Sequence, residues 1–552
     1  MPVRVRVSIV AGLLLSSWLA ASGQSTDLVV IDRIKREAFE RSEVMEHLRY
    51  LTDVHGPRLT GSPQFAKAAE WAIGRLKEYG LANVHLDRWG PFGRSWSVDG
   101  YTVEQVEPRY ARLHAVPLAW SAPTNGVIVA EPLLTPLETS FMRGPKKLRA
   151  ALDEYRNAWT GKLRGRLLLL TTPKPISNRT NPLFTRYTES RLQELFTAPE
   201  PAKPPVVKSI EEIDWPDDPA DLFQLFDRLP DDLTEQFFDR YAALEAERGA
   251  FLANEGVAAV LVADNRARDG LLAAEAAGSF RSRDPLAPAT FVVTAEDYDR
   301  IARLLQHKQP VRLRVDLKVS VSSADVDGTN IIAELPGGSK HDKVVMIGAH
   351  FDSWHSGTGA TDNGVGSAVM IDVMRILKAL NLKLDRTVRL ALWGGEEQGL
   401  LGSRAYVKRE FADPQTMQVT PQHAKLSGYF NLDNGSGRIR GVYLQGHEAM
   451  RPLFEQWFAP FRDLGVTTVT IRSTSGTDHQ SFTRVGLPGF QFIQDGLDYF
   501  AVTHHTNVDT YEHAVPGDLM QASAVIASVV YHAANHPERL PRRPLPAAAG
   551  AQ

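Results

Sequence analysis

Cysteine is absent from all 552 residues. That excludes disulfide staples, thiolate metal sites and catalytic thiols, so a metal must be held by His, Asp or Glu and stability must come from packing. Net charge is nearly absent as well. A formal −3 and a pI near 6.6 leave no basic field to draw the chain to nucleic acid or anionic membrane. A peptide or small molecule is the better-matched partner. The acids of Pro199–Asp239 lack EF-hand spacing, no G-x-S-x-G elbow follows a strand-like run, and there is no short-period repeat. Calcium loops, serine-hydrolase chemistry and solenoid architecture are all disfavoured. What is present is globular: 43% apolar and 23% charged residues, enough for two or more cores at about 100–200 residues per domain.

The first residues read as an export signal, 1–23. Arg4 and Arg6 precede the apolar stretch from Ser8 to Ala20, and Ala21, Ser22 and Gly23 can end it. The apolar run falls short of the ~20 residues that a spanning helix needs. The expected product is exported, periplasmic or extracellular, with no stable membrane anchor. Lack of cysteine suits a bacterial periplasm better than the disulfide-rich secreted class.

Residues 24–109 open a larger α/β domain. Leu28, Ile31, Ile34, Ala38 and Phe39 recur at helical steps, and a second amphipathic helix follows Pro63 with Gly80 as its stop. His55 lies in the loop between them and reads as a locally bonded histidine. From 110 to 319 strand-like runs (126–134, 165–173, 258–265, 289–297 and one from 311) alternate with long polar or helical pieces, which predicts an inserted β-rich module with a solvated acidic, proline-rich insertion at about 199–239. The catalytic module is expected over 320–540 and a disordered tail over 541–552.

Chemistry concentrates after Asn330. Lys343 to Ala349 is a near-continuous apolar run, as a sheet covered on both faces demands, and His350 closes it. A glycine-rich loop ends in Asp362-Asn363-Gly364, followed by a helix whose Val369, Val373, Ile376, Leu377 and Leu380 predict one apolar stripe. Taken alone, Asp362 is as well explained by an N-cap as by a ligand. The run Thr387 to Trp393 delivers the adjacent carboxylates Glu396 and Glu397, which repel each other unless a cation compensates. Leu426 to Leu432 ends at Asp433, and a later strand leads to His504 and His505. His350, Asp362, Glu397, Asp433 and His505 thus supply two imidazoles and three carboxylates at strand ends. Two Zn²⁺ ions and a bridging hydroxide would bring such a set close to neutrality. The ligand types prefer zinc and also accept Mn²⁺ or Co²⁺.

The succession HFDS, TDNGVGS, GGEEQGLLGS, NLDNGSG, SGTDHQSF and HHTNVDTYE resembles the co-catalytic di-zinc exopeptidases, the family of the secreted bacterial leucine-type aminopeptidases and glutamate carboxypeptidase II, and most closely its plasma glutamate carboxypeptidase branch. The resemblance implies an α/β zinc-exopeptidase sandwich, a mixed central sheet covered by helices, with an inserted protease-associated domain. It further implies that His350 and Asp433 bind one zinc, that Glu397 and His505 bind the other, and that Asp362 bridges them, often with a cis peptide before Asn363. Glu396 would be the general base, and Asp352 would hold the second nitrogen of the His350 imidazole. His504 competes with His505, but the family's histidine directly precedes Thr or Ser. The Asp478-His479 pair matches a pocket-wall motif, with His479 structural.

The implied function is hydrolysis at the end of short peptides or dipeptides by a metal-activated water. A single-zinc acyltransferase of the glutaminyl-cyclase type and a non-catalytic receptor-like binding protein are the rivals. Whether the substrate's amine or carboxylate is read stays open, as does homodimerisation. Arg438, Arg440 and Arg472 are candidates for a substrate carboxylate, with exposed salt bridging the preferred role for each.

Overall fold

The order of strands explains why distant residues converge. A computed structural model describes residues 27–546, apart from 138, 140–142, 174–179, 200–208, 214, 216–224, 226–228, 230 and 265–267. The export signal and the end of the tail lie outside the described residues. In chain order the strands are β1 Ala82–Glu107, β2 Ala111–Arg112, β3 Ala115–Pro117, β4 Ile128–Ala130, β5 Pro132–Leu134, β6 Leu167–Leu169, β7 Ala259–Val262, β8 Ala289–Val293, β9 Arg312–Leu335, β10 Lys340–His350, β11 Arg386–Trp393, β12 Leu426–Asn431, β13 Ile439–Tyr443, β14 Thr468–Thr470 and β15 Gly489–Gln494. They form a ten-stranded mixed sheet, ordered β14-β13-β15-β12-β10-β11-β9-β1-β2 with β4 on β9, and a five-stranded sheet, ordered β3-β8-β7-β6-β5.

At the heart of the larger sheet β11, β10, β12 and β15 run parallel and adjacent. Both faces of these strands are covered, which is why they are apolar at nearly every position. On β10, Val345, Ile347 and Ala349 pack with the helices Val365–Ala379 and Pro516–Asn535, while Val344 and Met346 pack with Tyr406 and Phe482. The chain is therefore an α/β protein with helices on both sides of a mixed sheet.

The helix Val365–Ala379 is buried all round, where the sequence predicted a single stripe. Leu28–Glu40, Val44–Arg49 and Pro516–Asn535 enclose it. Its polar residues are accommodated by pairing: Arg375 Nε meets Asp372 Oδ1 and Nη1 meets Glu37 Oε1, each at 2.6 Å. The N-terminal helical pattern is broken at Arg41–Glu43, and Phe39 lies outside the core at 38% exposure. The second helix, Pro63–Glu78, is capped by Ser62 and ends at Gly80, whose φ of +71° suits the left-handed turn.

The second module is α/β, where the composition suggested β-rich. Four of its five strands are parallel, a connection that needs crossover helices. Leu148, Leu152 and Tyr155 of Gly144–Trp159 and Leu244 and Leu252 of Asp231–Asn254 cover one face. Tyr298 and Ile301 of Ala295–Gln306 cover the other. The long strands β1 and β9 pair along their length and carry the module outward from the main sheet, so the expected boundary at 319 falls inside β9. The acidic insertion is only partly described. Its Ile210, Trp215, Leu229, Leu233 and Phe237 make a small core, and Glu235 pairs with Arg404 and Arg484 of the larger module. No helix among the described residues is long and apolar enough to cross a membrane.

Buried His47 gives the fold an acid-labile point. Its Nε2 lies 2.6 Å from Tyr79 Oη, which donates to Glu43. Burial and the cations Arg75 and Arg375 push its pKa from 6.5 down to about 3. The unfolded chain binds that proton near pH 6.5 and the fold does not. Stability is therefore full above that pH and is lost as pH falls from 6.5 towards 3, by up to about 1.4 kcal/mol per pH unit. In thermal melts between pH 7 and 5, His47→Gln is expected to flatten the fall in Tm. An unchanged slope would remove His47 as its source.

Candidate metal centre

Parallel neighbours end on the same edge, and about 4.8 Å separates one from the next. His350 is the last residue of β10, Glu396 and Glu397 follow β11, Asp433 follows β12, and His504 and His505 lie in the segment after β15. The structure brings all these residues together. His350 Nε2 is 3.1 Å from Asp362 Oδ1 and 3.5 Å from Asp433 Oδ1. His505 Nε2 is 3.1 Å from Glu397 Oε2 and 3.4 Å from Asp362 Oδ2. Asp362 thus turns one oxygen to each imidazole. Its carboxylate caps no helix, although an N-cap was an equal expectation: Gly364 occupies the cap position of Val365–Ala379. The Asp362-Asn363 peptide is cis.

His504 is close by. Its ring stacks on that of His505 with centroids 3.8 Å apart, and its Nε2 lies 3.9 Å from Asp362 Oδ2. His505 is nearer to Asp362, at 3.4 Å, and also meets Glu397 at 3.1 Å. His479 is buried with its Nε2 between Gln445 and the Thr474 carbonyl, and His55 stacks against Tyr50. Arg440 is buried and pairs with Asp495 at 3.2 Å and Glu189 at 3.0 Å, which corrects the expectation of an exposed salt bridge. Arg438 joins the same Asp495, while Arg472 is exposed.

Asp352 does a different job from the one expected. His350 Nδ1 donates to its backbone carbonyl at 3.0 Å, whereas the carboxylate Oδ1 is 3.8 Å away. The carboxylate instead accepts the backbone N–H groups of Glu396 at 3.2 Å and Glu397 at 3.3 Å, and the Thr60 hydroxyl at 2.8 Å. It pins the turn that presents both glutamates. Asp509 does the same for Asp362, accepting Thr361 N–H at 2.6 Å, Thr361 Oγ1 at 2.7 Å and Asp362 N–H at 3.1 Å.

Three residues that sequence reasoning missed complete this frame. Arg58, fully buried, donates to the carbonyls of Leu51, Phe351, Thr358 and Gly359 at 2.7–3.1 Å and ties the loop after His350 to the N-terminal segment. Burial pushes its pKa down to about 10, against the nearby Asp509, Asp352 and Asp362. Thr60 supports Asp352, and Glu275 of the second module meets His505 Nδ1 at 2.9 Å. Backbone carbonyls carry no residue identity, so only the Gly-Pro-Arg turn signal hinted at Arg58. Nothing in the composition around Glu275 marks it.

The electrostatics call for protons or cations. Asp352, Asp362, Asp433, Asp478 and Asp509 are buried, with Glu396 and Glu397 beside them. Burial pushes Glu397, Asp478 and Asp509 up to about 7. Burial would also lower the His350 and His505 pKa values, but Asp433 and Glu396 raise the first and Glu397 and Glu275 the second, both well above the usual imidazole value. Asp362 Oδ2 and Glu397 Oε1 are buried and make no hydrogen bond among the described residues. Ligand atoms of His350, Asp362 and Glu397, and of Asp362, His504 and His505, each lie within 4.8 Å of one another. Imidazole and carboxylate donors at these separations fit divalent metal ions of the borderline class.

Comparison with known proteins agrees with this geometry. Residues 330–530 match the family model described as "Peptidase family M28". Carboxypeptidase Q of Mus musculus is 25% identical over 94% of this chain and 89% of its own length. Among solved structures, a peptidase M28 precursor from Shewanella amazonensis superposes with TM-score 0.64 at 23% identity, covering 95% of this chain and all of that one. A zinc aminopeptidase from Bacillus subtilis gives TM-score 0.53 at 18% identity, over 89% and 94% of the two chains. Fold, site and matches define a hydrolase of the metallo-exopeptidase class. The segment 330–530 is similar to peptidase family M28.

The Arg58 anchor is testable. Arg58→Met should strand several buried carbonyls at about 1–3 kcal/mol each, lowering the urea midpoint by at least ~2 kcal/mol of stability. A midpoint equal to wild type would show that the loop is held by other contacts.

Proposed function

We propose that the protein is an exported di-zinc exopeptidase that hydrolyses peptide bonds at the ends of short peptides or dipeptides. His350 and Asp433 would hold one Zn²⁺, Glu397 and His505 the other, and Asp362 would bridge the two. The observation that carries this reading is the Asp362 carboxylate, with Oδ1 3.1 Å from His350 Nε2 and Oδ2 3.4 Å from His505 Nε2. A single-zinc site would use only one of those flanks. The name of the Bacillus subtilis neighbour supports zinc, and those of the relatives support action at a chain end. The second module occupies the place of an inserted protease-associated domain, and export is read from the N-terminal segment.

When bound, the ions would supply a water whose pKa falls from 15.7 to about 7 and a Lewis acid for the scissile carbonyl. The chain's own residues do the rest. Glu396 is the general base: its backbone N–H is held by Asp352, and it follows β11 to the sheet edge where His350 and Asp433 lie. It takes the proton of the attacking water and returns it to the leaving amine, work typically worth about 10²–10⁴-fold. Asp352 keeps Glu396 and Glu397 at fixed positions, and Asp509 keeps the Asp362 loop from turning outward.

Glu396→Gln should retain both metals by elemental analysis while kcat falls by at least ~10²-fold; a variant with near-normal turnover would end the base assignment. Asp362→Asn should lose metal as well as rate, and full metal content at normal turnover would remove its bridging role. Zinc-loaded enzyme offered dipeptides with free, N-capped or C-capped termini should be blocked by one of the two caps. Cleavage of doubly capped peptides would overturn the exopeptidase reading.

A further inference from the structure

One of the two imidazoles at the centre is held by the other module. Residues 270–277 form a strap against the segment that carries His505. Ala273 makes an antiparallel bridge with Thr506, the Leu272 N–H donates to Asn507 Oδ1 at 2.8 Å, and the Asn507 N–H donates to the Leu272 carbonyl at 3.0 Å. On its far side the strap is fixed to Ala119, whose N–H donates to the Glu275 carbonyl at 2.9 Å and whose carbonyl accepts the Ala277 N–H at 2.8 Å. Between these anchors Glu275 Oε1 meets His505 Nδ1 at 2.9 Å. His505 has a φ of +62°, a conformation that a non-glycine residue keeps only where its surroundings hold it. Its carbonyl accepts Ser356 Oγ at 2.9 Å and the Ala274 N–H at 3.3 Å.

We propose that Glu275 is a positioning residue for the metal centre: by accepting the Nδ1–H of His505 it leaves Nε2 as the ligand atom facing Glu397 and Asp362, so that the second module completes the site from outside the peptidase module. The proposal rests on the di-zinc reading. Its logic is that a neutral imidazole carries one N–H, and the hydrogen bond made by one nitrogen decides what the other can do. His350 finds its acceptor two residues along the chain, in the Asp352 carbonyl. His505 finds its acceptor 230 residues away. A carboxylate also makes the ring a stronger donor to a cation than a carbonyl does. The Glu275 side chain is 41% exposed, so the arrangement does not bury another isolated charge.

The test uses the full chain. Zinc affinity of wild type, Glu275→Ala and Glu275→Gln is measured by chelator competition, and Tm is measured with and without zinc. The expected result is that Glu275→Ala weakens one of the two zinc ions by about 10–100-fold and leaves the other unchanged. Glu275→Gln, which keeps an acceptor, should bind that ion more tightly than Glu275→Ala. Metal-free Tm should fall by clearly less than the zinc-induced rise is reduced in Glu275→Ala. Wild-type affinity for both ions in Glu275→Ala would overturn the proposal. So would a lowered metal-free Tm that accounts for the weaker binding, because the carboxylate would then be bracing the strap and not the imidazole. A wild-type chain that takes up no zinc would overturn the metal-centre reading and this proposal with it.

Discussion

The molecule is built around a crowd of buried carboxylates at one edge of a parallel sheet. Buried acids escape such a position by swinging into water or by taking up protons. Swinging is prevented here because the backbone is tied down rather than the side chains. Arg58 binds four carbonyls of the loops around His350, Asp509 binds the turn at Asp362, and Asp352 binds the amides of Glu396 and Glu397. With the backbone fixed, charge can be relieved only by a proton or a cation at the same place. A site arranged this way binds metal with little reorganisation, and its metal affinity is also folding stability.

The position of the second module follows from the same constraint. β1 leaves the main sheet, where Leu86 lies opposite Ile331, and runs outward to where Val103 lies opposite Val315 beneath the smaller sheet, and β9 returns along it. The ribbon is continuous, so the smaller module is fixed to the sheet that carries the ligands rather than hung on a linker. That attachment lets its strap reach the His505 segment, and its aromatic residues Trp120 and Phe280 join Trp354 beside the centre.

Much of the centre was legible in the sequence because the strands that present it are buried on both faces. Continuous apolar runs gave the approximate ends of β10, β11 and β12, and residues after strand ends fall on one edge whatever the loops do. Partners defined by tertiary contact left no such trace. Arg58 acts on carbonyls, which any residue supplies. Arg440 looked exposed because Asp495, the group that permits its burial, lies 55 residues on. The carbonyl, not the carboxylate, of Asp352 serves His350, a distinction that residue identity cannot show. The second module's helical share was underestimated for a related reason: Gly144–Trp159 and Asp231–Asn254 are rich in charge on their outer faces, and the second begins within a proline- and aspartate-rich stretch.

The two imidazoles also separate candidate metal ligands from acids that are merely buried. His350 donates Nδ1–H to a carbonyl and His505 faces a carboxylate with the same nitrogen. In the neutral tautomer each Nε2 therefore turns a lone pair towards carboxylate oxygens 3.1–3.5 Å away, an arrangement that repels. It becomes attractive if a proton makes the ring cationic or if a metal ion lies between nitrogen and oxygen. The surrounding acids raise the pKa of both rings in the protein alone. A metal takes the neutral imidazole, so its uptake weakens as pH falls. Asp478 marks the contrast. No imidazole pairs with its carboxylate among the described residues, and burial moves it towards the neutral acid, up to about 7. An orphaned oxygen becomes a ligand candidate only when an imidazole lone pair points at it.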